Sequence, residues 1–152
     1  MHDSAPPAKL DYTLTPGFAR RFAAMLYDWL LLFALMLVAT SLITLPLGMP
    51  GGIGLVLFQS LIFLFIPAVF FIGFWLRGGQ TLGMRSWRIR LVTDSGQPVD
   101  GLTALRRLLA ALLSLLPCGL GFIWILFDPE GLAWHDRLSR TRLVMVEPGN
   151  PG

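Results

Sequence analysis

Two stretches of 24 residues, Phe22 to Leu45 and Ile53 to Leu76, contain between them a single charged side chain, Asp28. At about 1.5 Å per residue each would extend ~36 Å as a helix, enough to cross a ~30 Å hydrocarbon core with some tilt. A chain of 152 residues makes one compact unit, and a soluble unit of that size carries about a quarter charged residues. Here charged residues are 14% and hydrophobic residues 55%. The pattern is that of an integral membrane protein with two transmembrane helices.

The formal net charge of +3 says less than its distribution. Lysine and arginine cluster at 9–21, 77–107 and 137–142, at the ends of apolar runs, with none between residues 22 and 76. That clustering follows the positive-inside rule, makes the bilayer the partner and needs no nucleic acid. The basic side is expected to be cytoplasmic, in the cell membrane. One cysteine, Cys118, excludes an internal disulfide. The first apolar run is longer than the ~7–15 residues of a signal h-region, so it reads as a retained helix.

Residues 1–16 read as a flexible tail, 17–146 as the membrane domain and 147–152 as a second tail. PLGMPGG, residues 46–52, reads as a tight turn between the spans. Pro67 and Gln59 are the notable residues of the second span, Gln59 as a helix-to-helix hydrogen bonder. Beyond Arg77, WRIRLV (87–92) alternates apolar and basic side chains and is followed by the turn TDSGQP; TRLVMV (141–146) is a second strand candidate. Neither is stable alone, so the two are expected to pair or to pack on the helix ends as a small cytoplasmic β element. The third apolar segment, 102–127, is interrupted by PCGLG. It is either a third span or a re-entrant helical hairpin. The hairpin places all twelve basic residues on one side and both strands in one compartment.

Asp28 is the anomaly. Seven residues advance a helix by about 700°, so Arg21, Ala24 and Asp28 share one stripe, with Asp28 roughly 10 Å deeper than Arg21. A carboxylate at that depth costs ~2.5–3.5 kcal/mol unless it faces protein or a water-filled cavity. It is therefore expected to face inward with a partner, either as a proton- or cation-binding group or as a structural anchor. In AWHDRLSRTR (133–142), His135 and Asp136 lack a second His or Cys at ligand spacing, so no metal is expected. There is no nucleophile motif, and GQTLG (79–83) is too short for a nucleotide loop; its glycines suit a close turn. No enzyme activity and no cofactor are expected. Trp75, Trp87 and Trp134 read as interfacial anchors.

RRFAAMLYD, GGQTLGMRSWRIRLVTDSG and WHDRLSRTRLV resemble, in order and spacing, the three blocks of the RDD family of small, mostly bacterial membrane proteins. The resemblance covers residues 17–146. It implies that the name-giving arginine and two aspartates fall on Arg21, Asp28 and Asp136, that Gly79, Thr81, Leu82 and Gly83 carry the middle motif, and that Arg107 matches a recurrent basic position. Met84 stands where the pattern commonly has lysine. At family level the resemblance implies transport. One reading is then a transport-related homo-oligomer in which Asp28 and Asp136 bind protons or small cations and Arg21 tunes them. Its alternative is a non-transporting scaffold or accessory subunit of a membrane protein partner, in which the same residues form a structural clasp. Arg107, His135 and Gln59 are supporting residues in either.

Overall fold

In the computed structural model, residues 10–11, 15–47 and 52–146 are described. Most of the first expected tail, the centre of the 46–52 turn and the tail at 147–152 lie outside the described residues.

Helix α1, Phe18–Leu47, starts one turn before the uncharged run and carries Arg20 and Arg21 in its first turn. Its buried residues, Arg21, Ala24, Asp28, Leu32 and Met36, recur every three or four positions and so form one face. The remaining faces, with Phe22, Leu26, Leu30, Phe33 and Leu37, are exposed and apolar. Helix α2, Ile53–Leu76, passes through Pro67 without ending and buries only Ile62 and Trp75. Both helices are long and apolar enough to cross a membrane. Gln59 is half-buried and has no hydrogen-bond partner among the described residues.

The core sits at one end of this pair. After α2 the chain turns at Gly78 and Gly79, and Gly79 (φ 70°) lies so close to strand β2, Ile89–Thr93, that a Cβ would stand 2.5 Å from the Leu91 carbonyl oxygen. The Leu91 N–H donates to the Gly79 carbonyl at 2.7 Å. Between them lies the short helix α3, Leu82–Ser86. The two strand candidates do pair: β2 is antiparallel to β3, Thr141–Val146, in the register Leu91↔Leu143. A two-residue strand, β1 (Leu10–Asp11), adds to the other edge of β3, within a segment expected to be loose. Ile89, Leu91 and Leu143 then pack with Ala24, Trp75, Met84, Val99 and Ala104.

Helix α4, Gly101–Leu115, is amphipathic: Ala104, Arg107, Ala110 and Ser114 face inward while Leu102, Leu105, Leu109, Leu112 and Leu113 face out. The chain then bends by 107° into α5, Leu120–Ile123, and a 3-10 turn, Trp124–Leu126. Two consecutive left-handed residues make the bend, Cys118 (φ 53°) and Gly119 (φ 79°). Gly121 seats α5 against α4, where a Cβ would lie 2.6 Å from that of Ser114. Helix α6, Trp134–Ser139, leads directly into β3. Because β2 precedes α4 and β3 follows α6, the bent pair leaves the sheet and comes back to it. By length and composition the bent pair fits either expected form, a broken third span or a re-entrant hairpin.

Candidate functional site

Asp136 is fully buried at the start of α6, where its Oδ2 accepts the Ala133 N–H at 3.0 Å and so caps its own helix. Two arginines from other elements converge on it. Arg21, in the first turn of α1, donates from Nη1 to Oδ2 at 2.6 Å, and Arg107, in the second turn of α4, brings Nη2 to 2.8 Å from Oδ1. One carboxylate thus ties together α1, α4 and α6. Two cations on one anion leave positive charge in excess, and the surroundings absorb it with lone pairs and a π face. Arg21 Nε donates to the Pro16 carbonyl at 3.1 Å and Nη2 to that of Gly131 at 3.0 Å. Arg107 Nη1 donates to Thr141 Oγ1, and its guanidinium lies 5.5 Å from the centroid of the Trp75 ring.

The Gly131 carbonyl is aimed at Arg21 by a small ordered loop. Asp128 Oδ2 accepts the Leu132 N–H at 2.7 Å, Asp128 Oδ1 accepts from Arg137 at 2.6 Å, and Gly131 adopts φ 64°. The Leu132 N–H and Arg137 hold the Asp128 carboxyl below its usual range.

For the Asp136 carboxyl, burial alone pushes the pKa up. Arg107 foremost, then Arg21 and the Ala133 N–H, more than offset this and hold it well below the usual carboxylate range. His135 goes the other way for its charge. Burial, and then the positive field of Arg107, lower its pKa to about 3, although Asp136 pulls upward. The imidazole is therefore neutral at neutral pH, and its 3.6 Å separation from Asp136 Oδ1 is neither an ion pair nor a hydrogen bond. Its ring packs 4.6 Å from that of Phe122, centroid to centroid.

Asp28 is elsewhere. Its Oδ2 accepts from Thr81 Oγ1 at 2.5 Å and its Oδ1 accepts the Gly83 N–H at 2.8 Å, while Thr81 Oγ1 in turn accepts the Met84 N–H at 3.2 Å. A carboxylate of α1 thereby satisfies the N-terminal turn of α3. The approach depends on Gly83: a Cβ there would stand 2.2 Å from the Ala24 carbonyl oxygen. The space above Ala24 is filled by this glycine's backbone.

The expected single site of Arg21, Asp28 and Asp136 is thus divided in two. Arg21 lies two helical turns from Asp28, too far along the axis for a neighbouring-turn pair, and it turns toward Asp136 instead. The structure brings Arg21, Arg107, His135 and Asp136 together, puts Asp28 with Thr81 and Gly83, and leaves Gln59 apart from both. Trp75 differs from its expected role as an anchor: it is buried beneath Arg107, whereas Trp87 and Trp134 are exposed. Sequence reasoning missed Thr141, Pro16 and Gly131. The last two act through backbone carbonyls, which no side-chain pattern reports. Among the described residues no group of three or more His, Cys, Asp or Glu side chains could hold a metal ion.

Two membrane-length helices, closed at one end by a small sheet and a buried ionic cluster, define a small multi-pass membrane protein. The sequence profile of the RDD family matches residues 15–140, so that α1 to α6 all fall within it. The chain belongs to the RDD family. Neither a curated protein nor a solved structure matches it.

Proposed function

We propose that this protein is a non-transporting membrane scaffold or accessory subunit, with its sheet-bearing, basic face on the cytoplasmic side of the cell membrane. Its buried polar residues form a structural clasp. The observation that carries this reading is that the protein's own groups meet both buried carboxylates: Asp136 Oδ2 accepts from Arg21 and from its own helix start, Asp136 Oδ1 accepts no hydrogen bond among the described residues but is ion-paired with Arg107, and Asp28 accepts from Thr81 and Gly83. Oxygens engaged in this way have structural donors where a transported ion would need to bind. The partner is another membrane protein or a second copy of this chain, docked on the apolar faces that α1 and α2 leave exposed. The reading assigns no catalysis and no cofactor.

One observation favours a second reading, cation or proton transport by an oligomer. Asp28 lies buried inside a helix long enough to span the bilayer, and carboxylates in such positions mark ion pathways. Two spans enclose no pathway, so this reading requires several copies.

The test is purified protein in liposomes loaded with a pH-sensitive dye. As a scaffold it gives no sodium-, potassium- or lithium-dependent proton flux above protein-free liposomes. In detergent, Asp136→Asn leaves two buried guanidinium groups without a counter-ion and destabilises by about 3–5 kcal/mol, read as a lowered Tm. A cation-dependent flux that Asp28→Asn abolishes in a folded protein would overturn the scaffold reading in favour of transport.

A further inference from the structure

A cleft of about 420 Å³ opens where α2 meets the sheet, and its walls are of two kinds. One is apolar, made by Val69, Phe70, Gly73 and Phe74 along α2. The other is basic, made by Arg77 at the end of α2, Arg85 on α3 and Arg90 on β2. The order along the helix matters. Val69, Gly73 and Arg77 follow one another at four-residue intervals, so the apolar wall runs up the span and ends directly at a guanidinium. The fold then adds the other two. Gly79 lets the turn after α2 approach β2, and Gln80 Nε2 donates to the Ile89 carbonyl at 2.8 Å, which fixes β2 and Arg90 beside the helix end.

These three cations have no counter-charge among the described residues. Among the described residues none of them pairs with an acid. The two acids of the 77–107 segment are directed elsewhere: Asp94 lies 3.8 Å from Arg142, and Asp100 caps α4 through the Thr103 N–H at 2.9 Å. Arg90 Nε is enclosed and has no hydrogen-bond partner among the described residues. A cluster that holds three guanidinium groups around a cleft is complementary to a phosphodiester, which accepts several hydrogen bonds and carries one negative charge.

We propose that this cleft is a binding site for an anionic phospholipid, with the headgroup phosphodiester held by Arg77, Arg85 and Arg90 and an acyl chain lying along Val69, Phe70, Gly73 and Phe74. The apolar wall selects a lipid over a free anion, because it continues from the basic pocket down the face of a helix long enough to span the bilayer. The site is separate from the ionic clasp and shares no residue with it. It rests on α2 lying in a membrane and on neither functional reading.

The test uses protein in a nonionic detergent, titrated with dioleoyl phosphatidylglycerol, dioleoyl phosphatidylcholine or inorganic phosphate, with bound lipid counted by native mass spectrometry. Phosphatidylglycerol is expected to bind about tenfold more tightly than phosphatidylcholine, and to weaken as salt is raised. Arg85→Gln and Arg90→Gln should each weaken it about fivefold, the value of one arginine beside an anionic headgroup. Arg106→Gln, an exposed arginine on α4 outside the cleft, should leave it unchanged. Gly73→Leu gives a readout that keeps every charge: a Cβ at Gly73 meets nothing within 4 Å, so the new side chain fits the helix and fills the cleft. It should abolish binding. Equal affinity for the two lipids, an Arg106→Gln effect as large as that of Arg85→Gln, or a Gly73→Leu variant with full affinity would overturn the proposal. Inorganic phosphate binding as tightly as the lipid would overturn the lipid assignment and leave a site for free anions.

Discussion

His135 occupies an unfavourable place for a proton, buried against Phe122 with two guanidinium groups in its field. Its folded pKa of about 3 lies below the ordinary value of 6.5. Below pH ~6.5 the unfolded chain therefore takes up a proton that the folded chain refuses, so His135's contribution to stability is complete above that pH and shrinks as the pH falls toward 3. Between pH 7.5 and 5.5 the loss should be about 1 kcal/mol, seen as a lower Tm in detergent, and His135→Gln should lack this component. An unchanged wild-type Tm would mean that the folded protein accepts the proton after all. At this scale the sequence showed which way side chains face and concealed whom they meet. The stripe of Arg21, Ala24 and Asp28 follows from helical geometry, and all three are buried. That Arg21 reaches Asp136, 115 residues away, depends on how α6 packs against α4 and α1, which no local pattern encodes.

The crossing of α3 over α1 is a close contact between elements, and it turns on one absent side chain. Gly83→Ala would place a methyl carbon 2.2 Å from the Ala24 carbonyl oxygen, so α3 must lift and both Asp28 hydrogen bonds must lengthen or break. A loss of about 1–3 kcal/mol is expected, measured as a drop in Tm. Gly101→Ala, where the new methyl meets nothing within 4 Å, is the control and should leave the Tm nearly unchanged. A Gly83→Ala protein as stable as the wild type would show that α3 does not press on α1 in this way. Elements differed in how readily the sequence revealed them. The two spans announce themselves by length, and β2 by alternation with a turn just beyond it, while β3 reads as a strand candidate. Helix α6 is only six residues long, too short for a period to appear, and was read only as a polar cluster. The bent segment has enough apolar residues for one crossing, and what bends it is local, the left-handed pair Cys118 and Gly119.

For the whole molecule, the antiparallel pairing of β2 with β3 argues for the re-entrant topology, because strands hydrogen-bonded to each other lie in one compartment. Exposed positions on either side of the bent pair should then be accessible from the same side of a sealed vesicle. With Cys118 replaced by alanine, Ser95→Cys and Glu130→Cys should both react with a membrane-impermeant thiol reagent from that side; reaction from opposite sides would establish a straight third crossing. The length of the third apolar segment and its PCGLG interruption leave two topologies in the sequence, and the basic residues favour the hairpin. Charge placement is a statistical preference, whereas strand pairing is a physical connection.

The ionic clasp also has a direction in time. Arg21 and Arg107 are both synthesised before Asp136, Arg21 by 115 residues. While the first two spans are entering the bilayer, their closing anion is still untranslated, and the arginine at the head of α1 can be served only by water, lipid phosphate or backbone carbonyls. The nascent chain thus passes through an inserted but unlatched stage. Its release comes with a helix of six residues, Trp134–Ser139, whose arrival converts two separately hydrated cations into one buried cluster.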